Sequence, residues 1–367
     1  MSTITQRIKA EALRLGFDLA GVAPASPSPH AAAVRDWLSA GHHGEMGWLA
    51  RDPERRLDPA RVVPQARSVI AVGLSYAVAP PPAARWDDPR CGRVARYAWG
   101  PDYHEVLLPL LMELGRFVEA EAGRPTAWRA YVDTGPVLER EVAARAGLGF
   151  VGRNTLLVTP EFGSFLFLGE ILTDLELEPD RPAEDGGANL KRGDKVAGCG
   201  SCQRCLDICP THAFPSAYVL NSRRCISYLT IEHRGSIPEE LRPLMKNWIY
   251  GCDECQSVCP WVKQFTRPGK TRFLRADPEM ATPRLTDLLA LDDEGFRARF
   301  KGTPVLRTKR RGLLRNVCIA LGNCGDPSVI PDLERAGADP EPLIREHAAW
   351  AIQRLVRPPE PSPGNAS

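Results

Sequence analysis

The chain has 367 residues, 43% hydrophobic and 25% charged, which is the balance of a globular protein with room for two or three compact domains. A net charge of +2 excludes a uniformly basic or acidic surface, so any nucleic-acid contact must be local. No run approaches the roughly 18 consecutive apolar residues of a membrane span, so no membrane partner is expected.

The first segment, MSTITQRIKAEALRLGFDLAGVA, places Ile4, Ile8, Leu13 and Leu15 among charges and predicts an amphipathic helix followed by a strand. It lacks the continuous apolar stretch of a signal peptide and a twin-arginine signal, and a cytoplasmic location is expected. Val69–Leu74 reads as a strand, Tyr103–Ala120 has helical periodicity, and Pro136–Ala146 reads as a helix ended by Gly147 and Gly149. Leu156–Val158 and Phe165–Leu172 read as strands paired around a Pro160–Gly163 turn. This irregular interleaving favours an α+β fold over a regularly wound βαβ sheet. Pro179–Gly198 is polar and Gly-rich, a surface loop that fits a linker or a lid equally well.

Helical patterns follow at Leu285–Phe300, Leu313–Leu321, Pro327–Ala336 and Pro342–Leu355. Arg315 with Asn316, and Arg345 with Glu346, are read as opening helices of HEAT-type repeats separated by a Gly-Asp-Pro turn. The final PPEPSPGNAS has the composition of a disordered tail. The resulting divisions are 1–185, 186–270, 271–357 and a tail at 358–367.

Eleven cysteines carry the strongest chemical signal, and eight of them lie between Cys199 and Cys259. Cys199, Cys202, Cys205 and Cys209 are followed by Pro210 in the C-x2-C-x2-C-x3-C-P run of two-cluster ferredoxins, where the fourth cysteine ligates the other cluster. Cys252, Cys255 and Cys259 before Pro260 repeat that run without its first cysteine, whose place is taken by Ile249. Cys225 is available to replace it. Eight thiolates then close two [4Fe–4S] clusters: Cys199, Cys202, Cys205 and Cys259 on one, Cys209, Cys225, Cys252 and Cys255 on the other. A pair of zinc sites is the competing reading of C-x2-C pairs. Cys91, Cys318 and Cys324 stand apart and read as apolar thiols.

Common cofactor loops are missing. There is no Walker-type lysine loop, and Gly147-x-Gly149-x-x-Gly152 follows a helix instead of a strand. Between Arg297 and Arg315 stand eight basic residues and no acidic one, among them Lys309, Arg310 and Arg311, a local patch able to neutralise phosphates.

Several segments, in order, carry a family likeness: DPERRLDP (52–59), RYAWGPDYH (96–104), YVDTGPVLER (131–140), GRNTLLVTPEFGSFLFLGEI (152–171), the eight cysteines, CISYLTIEHRG (225–235) and the helical tail. On these the chain resembles the epoxyqueuosine reductases, cobalamin-dependent iron–sulfur enzymes of the last step of queuosine synthesis in tRNA. The resemblance implies a cobalamin-binding α/β domain related to reductive dehalogenases, a ferredoxin-like two-cluster domain, and a C-terminal HEAT-like tRNA-binding domain. It implies that Asp133 is the proton donor. The residues alone leave open whether Asp133 caps the helix expected at Pro136 or faces a cleft. Burial should raise the pKa of an acid in that role.

The resemblance also places Arg56, Tyr97, Asn154, Ser164, Ser227 and Thr230, with Asp133, around the cobalamin. It implies base-off cobalamin without a protein histidine ligand, so His104 reads as structural or substrate-side. Lys309, Arg310, Arg311 and Arg315 are expected on tRNA. A reductant protein is a further expected partner, and the chain is expected to be a monomer. The competing functions are a reductive dehalogenase-like enzyme for a small organohalide and a non-catalytic two-cluster electron carrier.

Overall fold

The computed structural model describes residues 2–180, 191–192, 195–196, 198–269 and 277–357. Most of the expected 179–198 loop and the whole 358–367 tail lie outside these residues. The chain divides into two compact units. The first contains Met1–Ala79, Gly100–Cys225 and Asp253–Ala276; the second contains Pro80–Trp99, Ile226–Cys252 and Asp277–Ser367.

The first unit is built on a four-stranded sheet. Its strands are β1 (Leu19–Pro24), β2 (Ser68–Ser75), β3 (Trp128–Tyr131) and β4 (Leu166–Thr173). Their spatial order is β1-β2-β4-β3, and every pairing is antiparallel, which confirms a mixed α+β architecture. Every residue of β2 is buried, as befits a central strand covered on both faces.

Two helices cover one face. Helix α1 (Ile4–Leu15) begins with a reciprocal Thr3–Gln6 capping box and ends at Gly16, whose φ of 114° suits a residue without a Cβ. Helix α2 (Tyr103–Ala122) is capped by Asp102, whose carboxylate accepts from the His104 N–H. It lies close on β4, where a Cβ at Gly169 would stand 2.7 Å from Leu111. Leu107, Leu111 and Leu114 are completely buried, each contributing about 1.5–3 kcal/mol of transfer free energy. On the opposite face Leu168 and Leu172 of β4 join Ala71, Val142, Ala143 and Ala146 in one apolar cluster. That face is covered by helix α3 (Glu139–Arg145).

The sequence reading paired the wrong strands around Pro160–Gly163. Leu157–Val158 instead pairs with Phe150–Val151, and only a Thr159–Gly163 bridge closes the turn. The eight residues of β4 match all eight of β2, which a short neighbouring segment could not do. Helix α3 also begins at Glu139, later than expected, and Leu138 at its N-cap position makes no side-chain cap. Asp133 therefore does not cap it.

In the second unit, α4 (Ile226–Ile231) is followed by α5 (Lys309–Asn323), α6 (Ile330–Ala336) and α7 (Pro342–Val356). The expected Leu285–Phe300 helix is two helices, Leu285–Leu289 and Asp293–Phe300. Arg315 and Asn316 do not open a helix. They lie inside α5 and are completely inaccessible to solvent. The five N–H donors of Arg315 are bonded: Nη1 to the His233 and Gly235 carbonyls, Nη2 to the Leu229 carbonyl and Asn316 Oδ1, Nε to Asn316 Oδ1. Asn316 Nδ2 donates in turn to the Thr230 and Ile249 carbonyls. The pair thus binds α5 to the 229–249 segment.

Arg315→Leu removes the donors that Arg315 offers to those three carbonyls and to Asn316. A loss of about 3–5 kcal/mol is expected, read as a fall of several degrees in apparent melting temperature. The tRNA affinity of the folded fraction should not change.

Candidate functional site

Strand β3 leads directly into the segment Tyr131 to Pro136. The Thr134 N–H donates to the Val132 carbonyl at 2.5 Å, closing a three-residue turn with Asp133 at its apex. Asp133 has φ of 57°, a left-handed conformation that aspartate tolerates better than most residues and that is retained at functional sites. The turn is fixed from below: a Cβ at Gly135 would stand 2.4 Å from the Tyr131 ring. It is fixed from the side as well, because Arg56 Nη1 donates to the Gly135 carbonyl at 3.0 Å.

The Asp133 side chain is 48% exposed, contrary to the burial expected from the sequence. A tight turn at a strand end lifts the carboxylate away from the core. The Tyr103 hydroxyl donates to Asp133 Oδ2 at 2.8 Å, and His104 Nε2 lies 3.9 Å from the same oxygen. His104 Nδ1 is 2.8 Å from Asp102 Oδ1, so the residue that caps α2 also orients the imidazole. Tyr103 stacks on Phe167 at 4.5 Å and 9°. Burial, and then the charge of Asp133, push its phenol far up, so it stays a hydrogen-bond donor. Burial draws the Arg56 guanidinium down, and Asp133 and Glu139 oppose that. Sequence reasoning passed over Tyr103 and Asp102 as site residues; their signal was adjacency to His104 at a helix start.

The remaining residues expected around a cobalamin separate into two kinds. In the first unit, Asn154 and Ser164 are buried and engaged: Asn154 Nδ2 donates to the Cys255 carbonyl at 3.4 Å, and Ser164 Oγ to Gln256 Oε1 at 3.0 Å. Both fasten the cysteine-bearing segment. In the second unit Thr230 is fully buried, its hydroxyl donating to the Ile226 carbonyl and accepting from the Gly251 N–H. The polar atoms of these three are thus engaged within the protein. Ser227 and Tyr97, also in the second unit, are part-exposed, and Tyr97 packs on Tyr250 at 5.9 Å.

Seven of the eight clustered cysteines belong to the first unit, and Cys252 ends the intervening segment of the second. All eight are part-buried and free of disulfides. The two cysteine runs fold alike. Arg204–Asp207 and Glu254–Ser257 are matching single-turn helices, and the Cys209 and Cys259 N–H groups donate to the Leu206 and Gln256 carbonyls. Burial, then Cys199, Cys259 and Cys202, push the Cys205 thiol up to about 11. Burial, then Cys225 and Cys209, push Cys255 up. Backbone N–H groups point at sulfur, Arg153 at Cys199 (3.4 Å) and Ala213 at Cys209 (3.3 Å). Such donors stabilise cluster-bound thiolate. Among the described residues no three His, Cys, Asp or Glu side chains converge to hold a single metal ion. A cubane asks for less convergence, because each thiolate takes a different iron. The donor set fits the clusters.

In the second unit a cavity of about 250 Å³ is lined by His233, Arg234, Thr308, Lys309, Arg311 and Gly312 at the start of α5. Arg310 points elsewhere, into a part-buried ion pair with Asp339. Of the basic residues expected on tRNA, Lys309 and Arg311 face this cavity, whereas Arg310 is tied up and Arg315 is buried.

Paired cysteine runs together with an oriented acid define an iron–sulfur redox enzyme. Comparison with known proteins places it further. A family model described as 4Fe-4S double cluster binding domain matches residues 198–262, and one described as Epoxyqueuosine reductase QueG, DUF1730, matches residues 56–134. An epoxyqueuosine reductase of Pseudomonas aeruginosa is 41% identical over 355 residues, covering 96% of this chain and 94% of its own. That of Escherichia coli is 39% identical, covering 97% and 90%. A crystal structure of epoxyqueuosine reductase with an epoxyqueuosine-modified tRNA-Tyr stem loop matches with a TM-score of 0.85 at 33% identity, covering 96% of this chain and 91% of that one. The Bacillus subtilis enzyme, described with its catalytic aspartate loop swung out of the active site, matches at 0.83 and 33%, with the same coverages. The chain belongs to the epoxyqueuosine reductase family and carries a ferredoxin-like double-cluster domain. No helix among the described residues is long and apolar enough to cross a membrane.

Cys225→Ser is expected to lower iron and sulfide by about half after anaerobic reconstitution, leaving one cubane spectrum intact. Unchanged iron would remove Cys225 from the ligand set.

Proposed function

We propose that this chain reduces epoxyqueuosine to queuosine in the anticodon loop of tRNA, with Asp133 as the proton donor. The observation that carries this is the Asp133 turn: a strained, exposed carboxyl held by Tyr103 and flanked by an oriented His104, in a chain of this family. Opening the epoxide to an alkene takes two electrons and two protons and releases the oxygen as water. Asp133 gives a proton to the oxygen as a C–O bond breaks. The Tyr103 hydroxyl, which remains a donor, stabilises the carboxylate left behind.

The two cubanes are assigned to Cys199, Cys202, Cys205 and Cys259, and to Cys209, Cys225, Cys252 and Cys255. The neighbours of Cys205 and of Cys255 support that division. Cobalamin, when bound, supplies the reductive chemistry at the epoxide carbon. Within the first unit Arg56 is the residue that would hold it. Arg56 suits an anionic group, since it is half-buried and its hydrogen-bond partner among the described residues is the neutral Gly135 carbonyl. A reductant protein supplies electrons one at a time. The chain is read as a cytoplasmic monomer whose C-terminal helices are HEAT-like and whose Lys309 and Arg311 contact tRNA phosphates.

Two outcomes test this reading. Asp133→Asn should retain cofactors and tRNA binding yet convert epoxyqueuosine tRNA at least a hundredfold more slowly in single turnover, the scale of general acid catalysis. Near-parental rates in a loaded variant would return Asp133 to a structural role. Lys309→Ala with Arg311→Ala should weaken tRNA binding and flatten its salt dependence by roughly 0.9 unit per contact. Arg310→Ala should lower stability and leave that slope unchanged.

A further inference from the structure

Two protons are consumed per epoxide, and Asp133 holds one. The structure contains a second acid with no assigned part. Glu170 lies in the centre of β4, opposite Ala71 on β2 and Tyr131 on β3, and is 1% exposed. Strand alternation puts it on the face of Leu168 and Leu172, the face covered by α3. Its Oε1 is buried and has no hydrogen-bond partner. A buried carboxyl in that state is costly and calls for an explanation. Glu139 opens α3 above the same face, close enough to Asp133 that the Asp133 backbone N–H favours its charged form.

We propose that Glu170, with Glu139, is a buried proton store that reloads Asp133 between the two proton transfers of epoxide opening. The proposal rests on the function argued above. The first C–O bond breaks and the oxygen takes the Asp133 proton. A proton then moves from Glu170 by way of Glu139 to the Asp133 carboxylate, leaving Glu170 ionised. The second C–O bond breaks, and the oxygen departs as water with that proton. The two electrons come from the reductant through the clusters, and solvent reprotonates Glu170 after product release. Glu170 acts through Asp133 and is a positioning residue, not a catalytic one.

The electrostatics agree. Burial pushes the Glu170 carboxyl well up, with Glu139 and Asp133 adding to the effect. Burial, and then Asp133, raise Glu139 to about 7, while Arg140 and Arg56 oppose this. Tyr103 and His104 face Asp133 from α2, and Tyr131 is the β3 neighbour of Glu170. Burial thus favours a proton on Glu170, and Glu139, raised to about 7, can exchange one near neutral pH.

The test is Glu170→Gln, the closest neutral mimic of a protonated glutamate. Because the folded chain holds a proton that the unfolded chain releases above the ordinary value of 4.5, parental stability declines as pH rises through that region. The variant lacks this penalty and should fold at least as stably near pH 8. Infrared difference spectra of the cluster-loaded protein should show a protonated carboxyl near pH 8 in the parent and lose it in the variant. In single turnover of epoxyqueuosine tRNA the variant should be at least roughly tenfold slower near pH 8 and approach the parent near pH 6, where solvent reloads Asp133 readily. Glu170→Asp should restore part of the rate. No turnover by the loaded parent would contradict the function itself. Parental turnover with no protonated band, or with superimposable pH profiles for parent and variant, would overturn the proton store alone.

Discussion

The need to present thiolates to iron within a short stretch of chain governs this structure. Cys225 is the last residue before the chain leaves the first unit, and Cys252 the last before it returns. On the proposed assignment both bind the same cubane. Within the second unit that excursion is tied down where Thr230 and Ile249 receive the Asn316 amide. Metal binding of this kind is coupled to folding, because the ligand set does not exist in the unfolded chain. The paired single-turn helices, the N–H groups aimed at sulfur, and the anchors from Asn154 and Ser164 all serve to hold those thiolates.

The acid site obeys a different rule. Its parts come from the ends of elements, not their middles: Asp133 just beyond β3, Tyr103 and His104 in the first turn of α2, Glu139 in the first turn of α3. Element ends carry unsatisfied backbone groups and permit unusual dihedrals, so a side chain can be aimed there without breaking a strand or helix. Asp102 shows the economy of this arrangement, capping α2 through its backbone contact and orienting His104 through the same oxygen. Glu170 is the exception. It sits mid-strand, and its burial among apolar neighbours gives it the proton affinity that a surface acid lacks.

The cysteine spacing was legible because cubane ligation is mostly local in sequence, and the family likeness followed from dispersed motifs. The α+β class and the main helices were legible from periodicity. What periodicity could not supply was tertiary commitment. Arg315 in a basic run looks like a phosphate contact until α5 turns it inward to three carbonyls. The bonds of Thr230, Asn154 and Ser164 to the Ile226 carbonyl, the Cys255 carbonyl and Gln256 were invisible for the same reason. Strand pairing failed for the same reason, since the partner of β4 lies nearly a hundred residues earlier, at Ser68–Ser75. Glu170 was visible as one charge within LFLGEIL, and a face-by-face reading of that strand would have flagged it.

A chain that reduces epoxyqueuosine must remove the epoxide oxygen from a tRNA nucleoside. The most direct measurement is mass spectrometry of nucleosides from an epoxyqueuosine-bearing tRNA-Tyr stem loop. The stem loop is incubated anaerobically with reductant and protein loaded with iron, sulfide and cobalamin. The account predicts that the modified nucleoside loses the mass of one oxygen atom, and that omitting either cobalamin or the reductant abolishes the change. An unchanged nucleoside after incubation with protein shown to hold two cubanes and cobalamin would contradict it.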